Sequence, residues 1–389
     1  MGLVPRSIVQ KRWLEAIQGL EAGTLTFIDP AGEQHVVRGR LEGPCATFKI
    51  HDWGVIERAV ARGDIGLGED FIAGAWETDD VERLIALFLI NLDQLDGYAH
   101  GNFLNRIGFV LLNTILRRNN EAGSSRNIKA HYDVGNEFYS LWLDETMTYS
   151  SALYRQPDEA LAAAQRNKYG RILERIGDKR SRILEVGCGW GGFAEMAVRG
   201  NHEVTGITVS PAQHAFATQR LGGQADVRLE DYRRTQGTFD AVVSIEMFEA
   251  VGEKYWPRYF QVLSERLKRG GRAVLQIITI RDDLFAGYRT RSDFIRQYVF
   301  PGGMLPSVQQ VTHHADRAGL KTVDIHGFGH DYAKTLRTWS QRFSAAEADI
   351  RALGHGDAFL RNWQFYFGIC AAAFSVDRTN VVQVELAHA

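Results

Sequence analysis

Apolar residues recur with changing period along this chain, and the change divides it. From residue 8 to about 120, a helix-like KRWLEAIQGLEAG leads into GTLTFIDPAGEQHVVRGRL, where apolar and polar positions alternate on either side of Asp29–Gly32. Alternation around a turn that contains Pro and Gly predicts a β-hairpin. CATFKIHD predicts another strand, and WGVIERAVARG and VERLIALFLINLDQL predict helices. In FLNRIGFVLLNTILRRNN (Phe103–Asn120), Leu104, Ile107, Val110, Leu111 and Ile115 precede Arg117 and Arg118. That pattern fits an amphipathic helix on a membrane surface, or a helix packed between domains. The polar NNEAGSSRN that overlaps its end is the expected linker.

Beyond about residue 126, short apolar runs alternate with helical patterns. SRILEVG, EVTGITV, DVRLED, FDAVVSIE, GRAVLQIIT and KTVDIHGF predict strands. PAQHAFATQRLG and YWPRYFQVLSERLK are among the helices between them. Alternation of this kind predicts an α/β fold with a doubly wound, mostly parallel sheet. The expected organisation is a smaller α+β domain over residues 8–120, with roles in lipid binding or dimerisation, and a larger α/β domain over 121–389. The opening MGLVPRS reads as the remnant of a protease site and is set aside.

Composition narrows the function classes. The 389 residues carry 45 basic and 47 acidic side chains, a net charge of −2, which gives no electrostatic case for nucleic acid. Cys45, Cys188 and Cys370 lie far apart and are odd in number. This argues for a reducing compartment and against a disulfide frame or a zinc site. His313 and His314 lack a metal-binding spacing, and no metal is expected. No apolar run approaches the roughly 18–20 residues of a membrane-spanning helix.

Four segments fall at the carboxyl ends of the predicted strands, where open α/β sheets bind ligands. The first is ILEVGCGWGG (Ile183–Gly192), a strand that ends in glycines and opens a helix. Gly187 and Gly189 are placed to bring backbone against a ligand, since glycine has no Cβ and accepts positive φ. The spacing is that of neither the dinucleotide fingerprint nor the P-loop. The second is ITVSPAQ, where Thr208, Ser210 and Gln213 offer neutral groups to ribose hydroxyls. The third is LEDYR, where Asp231 and the Tyr232 backbone could bracket an adenine. The fourth is SIEMFEAVG, whose carboxylates Glu246 and Glu249 come together if a helical turn starts there.

Together these motifs resemble the cyclopropane-fatty-acid synthase family of S-adenosylmethionine-dependent methyltransferases, which includes the mycolic acid cyclopropane synthases. The resemblance spans nearly the whole chain. HYDVGNEFYSLWLDETMTYSSALY (His131–Tyr154) looks like the family's cofactor-covering segment, and IGLGEDFIAGAWE like its N-terminal signature. YVFPGGMLPS (Tyr298–Ser307) and GFGHDYAKTLRTW (Gly327–Trp339) resemble its C-terminal signatures. The resemblance implies a Rossmann-like methyltransferase sheet and S-adenosylmethionine as cofactor. Its contacts map to Tyr149, Ser150, Gly187, Gly189, Thr208, Ser210, Gln213, Asp231, Tyr232 and Glu246.

It also implies methyl transfer to a cis double bond of an unsaturated phospholipid acyl chain, through a carbocation that closes to a cyclopropane. An aromatic-lined site would tolerate that cation; Tyr149, Phe248, Tyr332 and Trp339 are candidates, with core packing the alternative for each and the favoured reading for Trp339. The family's base is a bound bicarbonate held by a glutamate, a histidine, a cysteine, a tyrosine and backbone amides. The glutamate maps to Glu249 and the tyrosine to Tyr332. Ser151 stands at the cysteine position and Gln276 at the histidine position, two departures that put the product in doubt. Proton loss elsewhere would give an exomethylene chain. His131 either orders the lid by a hydrogen bond or acts in catalysis. Cys188 reads as a packed small residue. RTRSDFIRQYVFPGGMLP, with Arg289, Arg291 and Arg296 among aromatic residues, suits an anionic membrane or covers the site. The expected setting is cytoplasmic, on the inner membrane face, with a homodimer implied by the family. The competing readings are a family member that methylates a small amine and a lipid-binding protein without activity.

Overall fold

The computed structural model describes residues 6–95, 134–177 and 179–389. The expected amphipathic helix Phe103–Asn120, the linker and His131 lie outside the described residues. The chain forms two compact units. The first contains described residues 6–95 and, from much later in the chain, 290–299 and 347–377. The second contains the described residues of 134–289, then 300–346 and 378–389. A single cut near residue 120 therefore does not separate them in sequence.

In the first unit, α1 (Arg6–Gln18) precedes β1 (Ala22–Ile28), β2 (Gln34–Arg38) and β3 (Leu41–Ile50). The expected hairpin is β1–β2, antiparallel from Thr24–Arg38 to Ile28–Gln34. Asp29 closes its turn by accepting from the amides of Ala31 and Glu33, each at 2.9 Å. α2 (Gly54–Arg62), α3 (Asp64–Ile72), β4 (Trp76–Glu77) and α4 (Val81–Ile90) follow, and the sheet order is β2-β1-β3-β4. Alternation puts Leu25, Phe27, Phe48 and Ile50 inside, where Trp13 of α1 meets Phe27 edge-on at 5.7 Å. Asn91, fully buried just after α4, accepts from the amides of Glu21 and Ala22 and donates to the carbonyls of Ala22 and Leu87. Every polar atom of that side chain is thereby satisfied.

The returning segments complete this core. The helix Asp357–Ser375 puts Phe365 5.8 Å from Phe71, and Ser375 donates to Glu82 at 2.7 Å. Phe294 is fully buried 4.7 Å from Phe365, and its amide donates to Asp64 at 3.0 Å. Arg296 is also buried and paired with Asp293, whereas Tyr298 remains 43 % exposed. The basic and aromatic residues of this segment are thus divided between packing and surface.

In the second unit, α5 (Asn136–Ser140) and α6 (Leu161–Ile176) lead into β5 (Arg182–Val186), α7 (Gly192–Arg199), β6 (Glu203–Thr208), α8 (Pro211–Leu221) and β7 (Asp226–Leu229). Then come β8 (Phe239–Ile245), α9 (Trp256–Arg266), β9 (Leu267–Ile280), α10 (Asp282–Arg289) and α11 (Val308–Arg317). β10 (Leu320–Gly327), α12 (Gly329–Ala345) and β11 (Thr379–His388) end the unit. The sheet order is β10-β11-β9-β8-β5-β6-β7. Strands β5 to β9 pair in parallel, and β11 is antiparallel to both its neighbours. The six expected strands are present; β11 is the additional one.

Both faces are covered, as a parallel sheet requires. Leu184, Val186, Val242 and Leu275 pack with Trp256, Tyr259, Phe260 and Leu263 of α9. Ile183, Val204, Ala241 and Val243 pack with Ile172 of α6 and Phe193, Ala194 and Ala197 of α7. From β5 the chain winds outward through β6 and β7, then returns to β8 on the other side. The loops after β5 and β8 diverge at that switch point and open the crevice where such sheets bind ligands.

A Cβ on Gly68 would lie 2.5 Å from Cδ2 of Phe294 and 2.7 Å from Cε1 of Phe365, two fully buried rings. Gly68→Ala should therefore cost about 1–3 kcal/mol through overpacking. A denaturant midpoint equal to that of the wild type would contradict the packing described.

Candidate active site

The loop after β5 turns on three left-handed glycines, Gly187 (φ +83°), Gly189 (φ +52°) and Gly191 (φ +83°). The amides of Gly187 and Cys188 both donate to the Ile207 carbonyl, at 2.9 and 3.0 Å, which ties the loop to β6. A Cβ on Gly187 would meet Met247 at 2.8 Å, whereas a Cβ on Gly189 would enter open space. Gly187 is thus required by packing, and Gly189 leaves bare backbone facing the crevice. Cys188 is buried, and burial pushes its thiol well above the ordinary range, so it packs as a small apolar residue.

The loop after β6 is a closed set of hydrogen bonds. Thr208 donates to Gln213 Oε1 at 3.0 Å, and Ser210 caps α8 by accepting from the Gln213 amide. Asp231 caps its own turn at the Arg233 amide and holds the Arg233 guanidinium through both oxygens, at 2.8 and 2.6 Å. Tyr232 meets Tyr259 edge-on at 5.4 Å. These residues line up along the carboxyl edge of β5–β7, as the motifs anticipate.

The segment after α5 builds an aromatic wall. Tyr149 lies 5.3 Å from Trp339, 5.5 Å from Trp142 and 5.6 Å from Tyr139. Tyr139 reaches Trp190 of the glycine loop at 5.2 Å, and Trp339 reaches Tyr332 at 6.1 Å. α12 clamps this segment from behind: Thr335 accepts from the Ala152 amide and Asp331 from the Tyr154 amide. Phe248 is instead in the core, 4.9 Å from Tyr259. The Ser150 hydroxyl bonds Nζ of Lys168.

The charged centre lies beside this wall. Glu246 leaves the end of β8 at φ +50°, a left-handed conformation costly for a residue with a Cβ. Its Oε1 accepts from the Ser151 amide and from Gln276 Nε2, each at 2.8 Å, and its Oε2 accepts from the Tyr332 hydroxyl at 2.7 Å. The Ser151 hydroxyl turns away to the Ala152 carbonyl, so the contact to Glu246 is made by backbone. Gln276 is fully buried, and its amide orientation is set at a distance. Arg171 can only donate, and it donates to Gln383 Oε1 at 2.9 Å. Gln383 Nε2 must then face Gln276 Oε1, at 3.1 Å, which turns Gln276 Nε2 toward Glu246. Gln276 and Gln383 are directly opposed across β9 and β11.

Glu249 lies one short turn onward. Its Oε1 accepts from the Ile278 amide, and its Oε2 is buried without a partner. Burial and then the repulsion of Glu246 raise its carboxyl to about 8. Burial also raises Glu246, a rise that the Lys168 charge and three hydrogen-bond donors oppose but do not cancel. Lys168 is fully buried, which lowers its ammonium to about 7 against the attraction of Glu246 and Asp144. Sequence reasoning missed Lys168. The signal was its place on the apolar stripe of α6 with Leu161, Ala164, Gln165 and Ile172, where a lysine is rarely solvated. Of the residues matched to a bicarbonate site, Ser151, Gln276 and Tyr332 surround the Glu246 carboxylate, and Glu249 lies beside them.

A family model described as mycolic acid cyclopropane synthetase matches residues 119–384. The chain belongs to that family. It is 35 % identical to the tuberculostearic acid methyltransferase UfaA1 of Mycobacterium tuberculosis over 364 residues, covering 90 % of this chain and 84 % of the relative. It is 34 % identical to the cyclopropane-fatty-acyl-phospholipid synthase of Escherichia coli K12, covering 87 % of each. The solved structure of mycolic acid cyclopropane synthase CmaA1 with SAH and CTAB superposes with a TM-score of 0.63 at 29 % identity, covering 67 % of this chain and 97 % of that one. As a mycolic acid cyclopropane synthetase family member, the protein is an S-adenosylmethionine-dependent methyltransferase, of the class that alkylates lipid acyl chains. The bare backbone at Gly189 fits such a cofactor.

Two outcomes are expected. Gly189→Ala should lower the affinity for S-adenosylhomocysteine about tenfold or more in calorimetry, with a strain cost to stability of only about 1–2 kcal/mol. Unchanged affinity would remove Gly189 from the cofactor site. Glu249 has an ordinary value of 4.5 and about 8 in the fold, so the folded state binds the extra proton between them. Its contribution to stability is complete below 4.5 and is lost as pH rises through about 8. Unfolding free energy should therefore fall more steeply from about pH 5 to about pH 8 in the wild type than in Glu249→Gln, by up to about 1.4 kcal/mol per pH unit. Parallel curves would contradict the burial of that carboxyl.

Proposed function

We propose that the protein transfers the methyl group of S-adenosylmethionine to a cis double bond in an unsaturated acyl chain of a phospholipid, and that the adduct loses a proton to close a cyclopropane. The observation that carries this reading is the aromatic wall running into a buried carboxylate centre, from Tyr149 through Trp339 to Tyr332 and Glu246. An alkene is a weak nucleophile, and its attack leaves a carbocation that water would quench. Ring faces exclude water and attract positive charge, and a nearby carboxylate stabilises a cation more strongly where water is excluded. The cofactor supplies an electrophilic methyl group on a sulfonium. Gly187, Gly189, Thr208, Gln213, Asp231 and Tyr232 would hold it along the sheet edge, and Tyr149 and Ser150 would cover it.

The acyl chain comes from a bilayer, and no helix among the described residues is long and apolar enough to cross one. On this reading the enzyme meets its substrate at a membrane surface. A second product, an exomethylene chain, is favoured by the use of Ser151, Gln276 and Tyr332 to hold Glu246. A relative of 35 % identity is also named a methyltransferase, not a cyclopropane synthase.

Purified protein incubated with S-adenosylmethionine and vesicles of cis-unsaturated phospholipid should add one CH₂ to the acyl chains, read by mass spectrometry after gas chromatography. Retention and fragmentation separate a ring from an exomethylene. Absence of the mass gain in protein that binds S-adenosylhomocysteine would overturn the reading, and methylation of a small amine would replace it.

A further inference from the structure

The family's bicarbonate does not fit this centre. The three donors that would grip it, the Ser151 amide, Gln276 Nε2 and the Tyr332 hydroxyl, are all directed at the carboxylate of Glu246, at 2.7 to 2.8 Å. A second anion would have to displace that carboxylate from its donors. A bicarbonate oxygen and a glutamate oxygen make the same demands on donors. The protein has therefore filled the cradle with an anion of its own.

We propose that Glu246 is the built-in base of this enzyme and takes the proton in place of bicarbonate. The inference rests on the methyl-transfer reading above. Methyl transfer leaves the acyl chain with one new C–C bond, formed by the alkene π pair, and one positive charge. A C–H bond of that adduct then breaks. Its electron pair closes a ring bond or a C=C bond, its proton goes to a Glu246 oxygen, and the lipid leaves neutral. The carboxylic acid passes the proton to water before the next turnover, which restores the carboxylate. Nothing is oxidised or reduced.

Three features support a functional carboxylate over a structural one. Glu246 occupies a left-handed position, φ +50°, that glycine would take without strain, so the backbone is strained to place a carboxylate here. Its donors are themselves fixed, since Gln276 is oriented through Gln383 and Arg171. Oε2 keeps a lone pair that the three donors leave unused, because a carboxylate offers about four sites and Oε1 already accepts twice.

The experiment compares wild type, Glu246→Gln and Glu246→Gly on cis-unsaturated phospholipid vesicles, in carbonate-free buffer under argon and with bicarbonate added back. The wild type should turn over equally with and without bicarbonate. Glu246→Gln should lose about 10²–10⁴ in rate, the usual contribution of a general base, with a far smaller change in its calorimetric affinity for S-adenosylhomocysteine. Glu246→Gly empties the cradle, and it should bind bicarbonate in calorimetry where the wild type does not, with saturable return of activity. A wild-type rate that collapses without carbonate and returns with it would overturn the proposal, and so would full turnover in Glu246→Gln. The wild-type arm does not depend on how any variant folds. Absence of CH₂ gain in the wild type under every condition would instead mean that the methyl-transfer reading has failed.

Discussion

A carboxylate taken out of water must be given donors or a counter-charge, and much of the second unit is arranged around meeting that requirement at Glu246. Desolvating an ion is costly enough that an unpaired one would neutralise or force the structure apart. Here the debt is met from four directions: a backbone amide on the covering segment, a glutamine on β9, a tyrosine on α12, and the buried ammonium of Lys168 on α6. Three of those elements meet directly at the two Glu246 oxygens, and Lys168 acts on them by charge while it bonds Ser150.

The neighbouring Glu249 shows the opposite solution. It has one backbone donor and an orphaned oxygen, so burial keeps it protonated rather than charged. Burial raises both carboxyls, three residues apart, but only Glu246 has a buried cation and three hydrogen-bond donors set against that rise. The strand-end geometry makes this possible. The left-handed φ of Glu246 throws its side chain one way, and the short turn over Phe248–Ala250 carries Glu249 another.

Much of this was legible in the sequence. The glycine loop, the ITVSPAQ turn and the parallel strands were readable because apolar runs and turn residues are local signals. β11 was not found. It follows a helix that belongs to the other unit, so the βα alternation that flags its neighbours is broken before it. The residue types of the charged centre were identified, but the partner of the three donors was not. Spacing cannot say which of Glu246 and Glu249 they hold, because that turns on one backbone dihedral. Lys168 went unnoticed although its helical stripe marks it as buried. Asp231 and Ser210 were read as ligand contacts, and both also serve as caps of their own turns, a local function that the same residue types signal equally well.

The interleaving of the two units along the chain has a consequence for synthesis. The core of the first unit is not closed by residues 6–95 alone. It waits for Phe294, and then for Phe365 and Gly368 on the helix Asp357–Ser375. During synthesis, residues 6–95 are made well before the later segments that complete their core. The unit that holds residues 6–95 is therefore completed only after most of the second unit has been made.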